Sequence, residues 1–427
     1  MKKNINSKKN DSKPFFFKKK SKKVKEELEE QENVREVIVE RDNGFNTIEV
    51  IVIILISILF GVVVGCVLSS TRTFGTIVSD EVNEIVSTYD AILENYYEEI
   101  DASELANAAV SGMISILDDP YSVYMNSDDT DSFLESVNGS FVGIGVTVLW
   151  SDDCFKIVDI IDGSPAFDEG LKKDDVIIEV GSKDVTGLNI DELSSLIKGK
   201  SGSKVNITVL RGEEKLKFTV KRKVVEIPSV SSEVYDNSIG YISIDSFSAT
   251  TSDQFSKKLD ELEKQNINSL IIDVRDNPGG KLGQVNKILD LFMSKKTVLY
   301  KIETKGKTTE VYASDTDKKD IPVVILVNHE SASAAEILAA SFQDNYKKAT
   351  IVGSVTYGKG TIQKAVELSS GASIKYTTQK WLTPKGKWIN EKGIIPDETV
   401  SQSDEYLLNP VFDNDLQLQK AIEVLKK

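Results

Sequence analysis

Val323-Val324-Ile325-Leu326-Val327-Asn328-His329-Glu330-Ser331-Ala332-Ser333-Ala334-Ala335-Glu336-Ile337 changes texture twice in a short space. Five aliphatic residues in a row read as a strand buried on both faces. A run of small residues follows, and a helix opens at Ala334. A strand, a tight turn and a helix in that order place the chain in the α/β class. The same junction exposes serine hydroxyls beside the unpaired N–H groups of a helix N-terminus. Ser333 with Glu336 fits a Ser-x-x-Glu capping box, which Ser331 does not, so Ser333 reads equally as a helix cap and as a nucleophile. The two roles are compatible, since both put the hydroxyl near free N–H groups.

A nucleophilic serine needs a base. The single histidine, His329, lies on the same strand end four residues upstream, a poor place from which to face Ser333. A Ser–His hydrolase using it remains one alternative. The other basic residue is Lys359, in Thr356-Tyr357-Gly358-Lys359-Gly360-Thr361-Ile362-Gln363, and a serine–lysine pair can replace the serine–histidine–aspartate triad. A lysine base must be neutral, which burial against apolar neighbours promotes. Gln363 lies four residues on, where its side chain could hold the amine. The plainer reading of Lys359 is a solvated turn residue. A phosphate loop is disfavoured, because the stretch from Gly353 ends in Gly360 where magnesium binding requires Ser or Thr.

Working outward, strand and helix patterns alternate from about residue 239. Expected strands are Ile239–Ile244, Leu270–Val274 and Val323–Val327. Expected helices are Thr251–Lys264, Leu282–Met293 and Ala334–Asn345. Such alternation predicts a largely parallel, covered sheet. Residues 363–397 are strand-like again and 411–427 helical and amphipathic. Between the second strand and its helix sits Asn277-Pro278-Gly279-Gly280. Its successive N–H groups read either as a plain turn or, with the N–H of Ala334, as an oxyanion hole. Residues 139–224 form a separate β-rich module with strands at Val142–Leu149, Phe155–Ile161, Val176–Val180, Val205–Leu210 and Leu216–Val220, and helical stretches at Ala166–Gly170 and Ile190–Ile197. It opens with Phe141-Val142-Gly143-Ile144-Gly145-Val146, a glycine turn able to present N–H groups to a peptide carboxylate beside an open strand edge. Residues 79–118 carry apolar positions at helical spacing and predict two helices.

The N-terminus differs from all of this. Residues 1–25 hold eleven lysines and one aspartate, and residues 26–42 hold eight acids and two arginines. The first block is +10 and the second −6. With Glu49 at −1, the rest of a chain of net −15 carries −18. An acidic body argues against nucleic acid as its partner. Ile48 to Leu68 is almost continuously apolar, long enough to span a bilayer, and the lysines before it put the N-terminus in the cytoplasm. A cleaved signal peptide fits less well, because more than forty polar residues precede the span. Cys66 falls inside that span, so a disulfide with Cys154 is not expected. Zinc-type spacing is absent and one histidine excludes a histidine-rich metal site, so neither metal nor cofactor is expected.

The motifs Ser331-Ala332-Ser333-Ala334-Ala335-Glu336-Ile337, Tyr357-Gly358-Lys359-Gly360 with Gln363, Asn277-Pro278-Gly279-Gly280, Leu117-Asp118-Asp119-Pro120-Tyr121-Ser122 and Thr383-Pro384-Lys385-Gly386 with Gly393-Ile394-Ile395-Pro396-Asp397 occur in an order that resembles the carboxyl-terminal processing peptidases, or tail-specific proteases, over about 75–400. The resemblance implies a crotonase/ClpP-like α/β catalytic core with an inserted PDZ β-module, preceded by one transmembrane helix. It implies Ser333 as nucleophile, Lys359 as general base and Gln363 as the residue orienting it. Gly279 or Gly280 with Ala334 would form the oxyanion hole, and Phe141–Val146 would be the PDZ carboxylate loop, with the PDZ domain gating the site in some members. The expected organisation is a cytoplasmic tail (1–44), a transmembrane helix (45–70), an N-terminal helical part (75–138), PDZ (139–224), catalytic domain (225–400) and a helical C-terminal tail (401–427). The expected setting is a single-pass cell-membrane protein with the catalytic domain outside the cytoplasm. Its partners would be protein or peptide C-terminal tails, and a homodimer is compatible with the helical ends. The alternative is an inactive membrane-anchored PDZ scaffold. Two departures from the family pattern are Glu330 where glycine is common, and an Asp344–Lys348 stretch one residue longer than the pattern.

Overall fold

The computed structural model describes residues 79–151, 153–314 and 318–427, with Ile54 and Ser57 as isolated helical positions. The expected cytoplasmic tail and nearly all of the expected membrane span lie outside the described residues. Among those described, no helix is long and apolar enough to cross a membrane. The chain divides into a unit ending at Tyr97 and a body of Glu98–Lys427. Helix α1 (Asp80–Asn95) belongs to the first.

The body begins with α2 (Ala102–Ser115), β1 (Val123–Met125) and α3 (Ser127–Asn138). Asp101 caps α2 through the N–H groups of Ser103 and Glu104, and Gly139 at φ 64° ends α3, where only glycine is unstrained. The next strand, β2 (Ser140–Gly143), pairs antiparallel with β9 (Lys223–Glu226), Phe141 opposite Val225. This two-stranded neck carries the inserted module. Its sheet runs β3-β4-β5-β7-β8, with β6 on β5: β3 Val146–Ser151, β4 Cys154–Ile160, β5 Val176–Val180, β6 Lys183–Asp184, β7 Lys204–Arg211 and β8 Glu214–Lys221. Helices α4 (Pro165–Asp168) and α5 (Ile190–Ile197) cover it. Ile157, Ile177, Ile207, Val209 and Leu193 form a core of its own. The single strand expected at Val142–Leu149 is instead two, because Gly145 takes φ 82° and turns the chain out of β2 into β3.

The sheet that follows the inserted module has the order β10-β11-β12-β15-β16-β19. These are β10 (Val230–Tyr235), β11 (Ile239–Ile244), β12 (Ser269–Asp273), β15 (Val323–Val327), β16 (Ala349–Gly353) and β19 (Glu398–Thr399). All neighbours are parallel except β10 with β11. Period-two alternation sorts the side chains onto two faces. Val323, Ile325 and Val327 meet α6 (Thr251–Glu263), α7 (Leu282–Asp290) and α8 (Ala334–Asn345) on one side. Val324 and Leu326 join Ile271 and Val352 against Leu418, Ala421 and Ile422 of the C-terminal helix on the other. That helix spans Leu416–Leu425 and is α10, after the short α9 (Asp404–Leu408). Helix α7 stops at Asp290, three residues before the expected end, as the chain turns toward β13. Beyond it, β13 (Val298–Thr304) and β14 (Lys307–Tyr312) join β17 (Thr361–Glu367), β18 (Ser373–Leu382) and β1 in an antiparallel sheet. Residues 383–397, expected to be strand-like, form a turn-rich loop that starts with a Gly386 N–H to Thr383 carbonyl bond.

One buried ion cluster locks α10 to the sheet. Arg275, just past β12, donates to both oxygens of Asp273 and, in a fork, to both oxygens of Asp415 at 2.9 Å. All three side chains are under a tenth exposed. Burial works against the Arg275 charge, and the two carboxylates more than offset it, leaving the guanidinium above its ordinary range. Removing one member of such a cluster strands the others without a counter-charge. Arg275→Ala is expected to cost about 3–5 kcal/mol, read as a lowered midpoint of urea unfolding.

Candidate active site

Parallel strands open their crevice at the carboxyl ends, where consecutive loops meet. The order β12-β15-β16 therefore sets the Ser333 turn between the Asn277–Gly280 loop and the loop that carries Lys359. Hydrogen bonds fasten the three together. The Ala332 N–H donates to the Asn277 carbonyl at 2.9 Å, and the Tyr357 N–H to the Ser331 carbonyl at 3.1 Å. The buried Ser331 hydroxyl donates to the Val274 carbonyl at 2.7 Å. Ser331 is thus a brace in the turn.

Ser333 sits at φ 56°, ψ −111°. A helix cap ordinarily takes extended backbone, so this is a strained turn of the kind found where function overrides local preference. Its N–H donates to the Glu336 carboxylate at 2.8 Å. Gly279 (φ 99°) lies against it so closely that a Cβ there would stand 2.8 Å from Ser333 Cβ and 3.0 Å from the Ala334 nitrogen. The Gly279 N–H is already given to the Asn277 side chain at 2.8 Å. The Gly280 N–H donates to no protein group among the described residues, so of the two glycines it is the better donor for a ligand. It is held by flanking bonds, Phe247 N–H to Gly279 carbonyl and Lys281 N–H to Phe247 carbonyl.

The Lys359 loop is clamped on both sides. Its N–H and that of Gly358 donate to Glu336 at 2.8 and 2.7 Å, and its carbonyl accepts from the Trp381 indole at 2.7 Å. The Lys359 Nζ lies 4.5 Å from the centre of the Tyr121 ring, a cation–π arrangement. Tyr121 arrives from the turn before β1. That turn is tied by Asp119, which accepts the Tyr121 N–H and the Ser122 hydroxyl. Ser122 in turn accepts the Thr377 N–H from β18. Burial, and then the like charge of Lys375, push the Lys359 amine below the ordinary lysine range, against the pull of Asp119 and Glu336. Burial, and then Tyr357, push the Tyr121 phenol up to about 12, so it stays neutral.

Gly279, Gly280, Ser333, Lys359 and Gln363 line one cavity of about 550 Å³, walled by Phe133 and Val137 of α3 and by Phe247. Gln363 donates its amide N–H groups to Thr361 and Thr377 at 2.9 and 3.0 Å. No hydrogen bond from Lys359 Nζ to Gln363 forms, and the amine's contact is the Tyr121 ring. His329 lies on the surface, its side chain 76% exposed, beside Glu330 at 3.6 Å. It faces the Tyr357 ring and lies outside the cavity lining. A second cavity of about 360 Å³ belongs to the inserted module. It is bounded by Phe141, Gly143–Val148 and one face of α5, along the open edge of β3. Lys198 at its rim pairs with Glu135 of α3 at 2.8 Å.

Known proteins match this arrangement. A model described as peptidase family S41 matches residues 238–400, and one for PDZ domains matches 142–221. A model for the activating protease CtpB N-terminal domain matches 67–129. The chain is 39% identical over 335 residues to carboxy-terminal processing protease CtpA of Bacillus subtilis (strain 168), covering 78% of this chain and 72% of that protein. Against carboxy-terminal processing protease CtpB of the same organism the figures are 38% over 350 residues, 80% and 71%. A solved photosystem II D1 C-terminal processing protease superposes with a TM-score of 0.45 at 24% identity, over 76% of this chain and 94% of that one. The chain therefore belongs to peptidase family S41, as a carboxy-terminal processing serine protease that carries a PDZ domain.

Proposed function

We propose that the protease works through a Ser333–Lys359 dyad on protein tails delivered by the PDZ groove. The observation that carries this is the shared cavity, in which a strained serine and a half-buried lysine meet unspent backbone N–H groups. Neutral Lys359 takes the Ser333 proton as the hydroxyl attacks the scissile carbonyl. The Gly280 and Ala334 N–H groups hold the oxyanion. The protonated amine then gives its proton to the leaving nitrogen, and water hydrolyses the acyl-enzyme by the reverse sequence. Gln363 acts through the wall it shares with Thr361 and Thr377. The tail adds to the β3 edge with its carboxylate at Phe141–Val146. The span at 45–70 anchors the chain, with the catalytic body outside the cytoplasm.

A fluorophosphonate probe tests the assignment directly. It is expected to label Ser333 alone, located by mass spectrometry of the digested protein. Labelling at another serine, or undiminished labelling of Lys359→Ala, overturns the dyad. The rate also has a sign in pH. A base must be unprotonated, so kcat rises with pH and levels off. The midpoint falls below the ordinary lysine range, because burial and Lys375 both disfavour the Lys359 ammonium. A midpoint at or above that range contradicts Lys359 as the base.

A further inference from the structure

Lys281, Lys359 and Lys375 all line the catalytic cavity, and among the described residues no aspartate or glutamate lines it. This inverts the charge of the body around it, in which residues 98–427 carry −14 of the chain's net −15. The three amines are not equivalent. Lys359 rests on Tyr121 and Lys281 reaches the Asn138 side-chain oxygen at 3.4 Å. Lys375 projects from the middle of β18, between Val123 of β1 and Ala365 of β17. Its Nζ lies 5.6 Å from the Phe133 ring centre, and it forms no ion pair with any described residue. Lys375 is half-buried. A half-buried ammonium without a counter-charge has lost part of its hydration and gained nothing ionic in return.

We infer that Lys375 is a specificity-determining residue, which pairs with a carboxylate carried by the substrate close to the scissile bond. The inference rests on the dyad reading for the identity of the cavity, and adds to it a class of substrate: peptides with an acidic group beside the cleavage point. The substrate supplies the missing negative charge. The carboxylate has two sources, an aspartate or glutamate side chain and the α-carboxylate of a chain end lying within a residue or two of the cut. Both present the same two oxygens to the amine. The like charge that Lys375 exerts on Lys359 is consistent with the two amines sharing one cavity.

The test uses the 427-residue chain and short peptides of three kinds. One kind has an internal glutamate within two residues of the cleavage point and an amidated end. The second replaces that glutamate by glutamine. The third keeps the glutamine but has a free end one or two residues past the cut. Wild type is expected to favour a carboxylate-bearing peptide over the glutamine amide by about tenfold in kcat/KM, the size of one charge-assisted hydrogen bond. Lys375→Gln brings that ratio to near one, Lys375→Glu reverses it, and Lys375→Arg retains it. The arm in which the preference appears, internal or terminal, identifies the source. Because Lys375 lies outside the PDZ groove, the groove's own taste for chain ends cancels between wild type and Lys375→Gln. Binding of the same peptides to Ser333→Ala, with and without Lys375→Gln, repeats the comparison without chemistry. Absence of cleavage by wild type would count against the dyad, while this binding ratio would still decide the role of Lys375. A ratio that Lys375→Gln leaves unchanged in both formats overturns the inference.

Discussion

Ser333→Ala and Lys359→Ala are each expected to reduce kcat on a peptide substrate by about 10⁴- to 10⁶-fold, with KM little changed. On the proposed mechanism the first removes the nucleophile outright. The second removes the amine proposed as the base, and His329 cannot replace it, because it lies on the surface outside the cavity lining. The double variant is expected to be no slower than either single one, as groups that act in one step lose their effect together. Folding is not at stake. Ser333 makes its structural bond through its N–H, to Glu336, and Lys359 makes its own through backbone N–H and carbonyl. Alanine preserves all of these. Unfolding midpoints within about 1 kcal/mol of wild type are expected, as is unchanged binding of tails at the β3 edge. Steady-state kinetics with a stability control checks this. Cleavage near the wild-type rate by either variant would falsify the dyad. Retained cleavage by Lys359→Ala together with its loss in His329→Ala would instead favour the serine–histidine alternative.

Much of this site is legible in the sequence, for a physical reason. Motifs at the ends of parallel strands are brought together by topology, so Asn277–Gly280, Ser333 and Lys359 could be read as neighbours once three buried strands were recognised. The bounds of β11, β15 and α8 also matched; for β15 the reason is plain, because five consecutive aliphatic residues ended by Asn328 leave little choice of limits. What the sequence hid is long-range. Tyr121 lay in a quoted motif, but no local rule places its ring under an amine more than two hundred residues later. Lys375 looks like any outward lysine of an alternating strand until β1 and β17 close on both sides of it. Asn138 and Phe133 belong to α3, whose apolar residues are Phe133, Leu134 and Val137 alone, too few to announce a wall of the cavity. Glu336 was read as one half of a capping box. That reading captures one of its four hydrogen bonds.

Those four bonds make Glu336 the second large expected effect. Its carboxylate is fully buried. It accepts the Ser333 N–H at 2.8 Å, the Thr356 hydroxyl at 2.6 Å, the Gly358 N–H at 2.7 Å and the Lys359 N–H at 2.8 Å. Among the described residues it is the one side chain bonded both to Ser333 and to Lys359. Burial pushes the Glu336 carboxyl above the ordinary carboxylate range, against the pull of these donors. Glu336→Ala leaves four buried donors without an acceptor. At about 1–3 kcal/mol for each orphaned group, less whatever water can satisfy, a loss of about 3–5 kcal/mol in stability is expected. The Ser333 and Lys359 loops are then free to separate, and a shift of about 1 Å between reacting groups costs about 100-fold in rate. Glu336→Gln, with one acceptor oxygen where there were two, is expected to fall between wild type and alanine in both measures. Thr356→Val, which removes one donor to Glu336 and the acceptor of the buried Ile394 N–H but leaves both loops tied through backbone, is expected to slow catalysis least. The measurements are kcat and urea unfolding on the three variants, with fluorophosphonate labelling of Ser333 as the local readout. If Glu336 serves only to hold the fold, labelling of the folded fraction stays at the wild-type rate in all three. If it sets the distance between serine and lysine, labelling slows in the order valine, glutamine, alanine while the folded fraction remains high at low temperature.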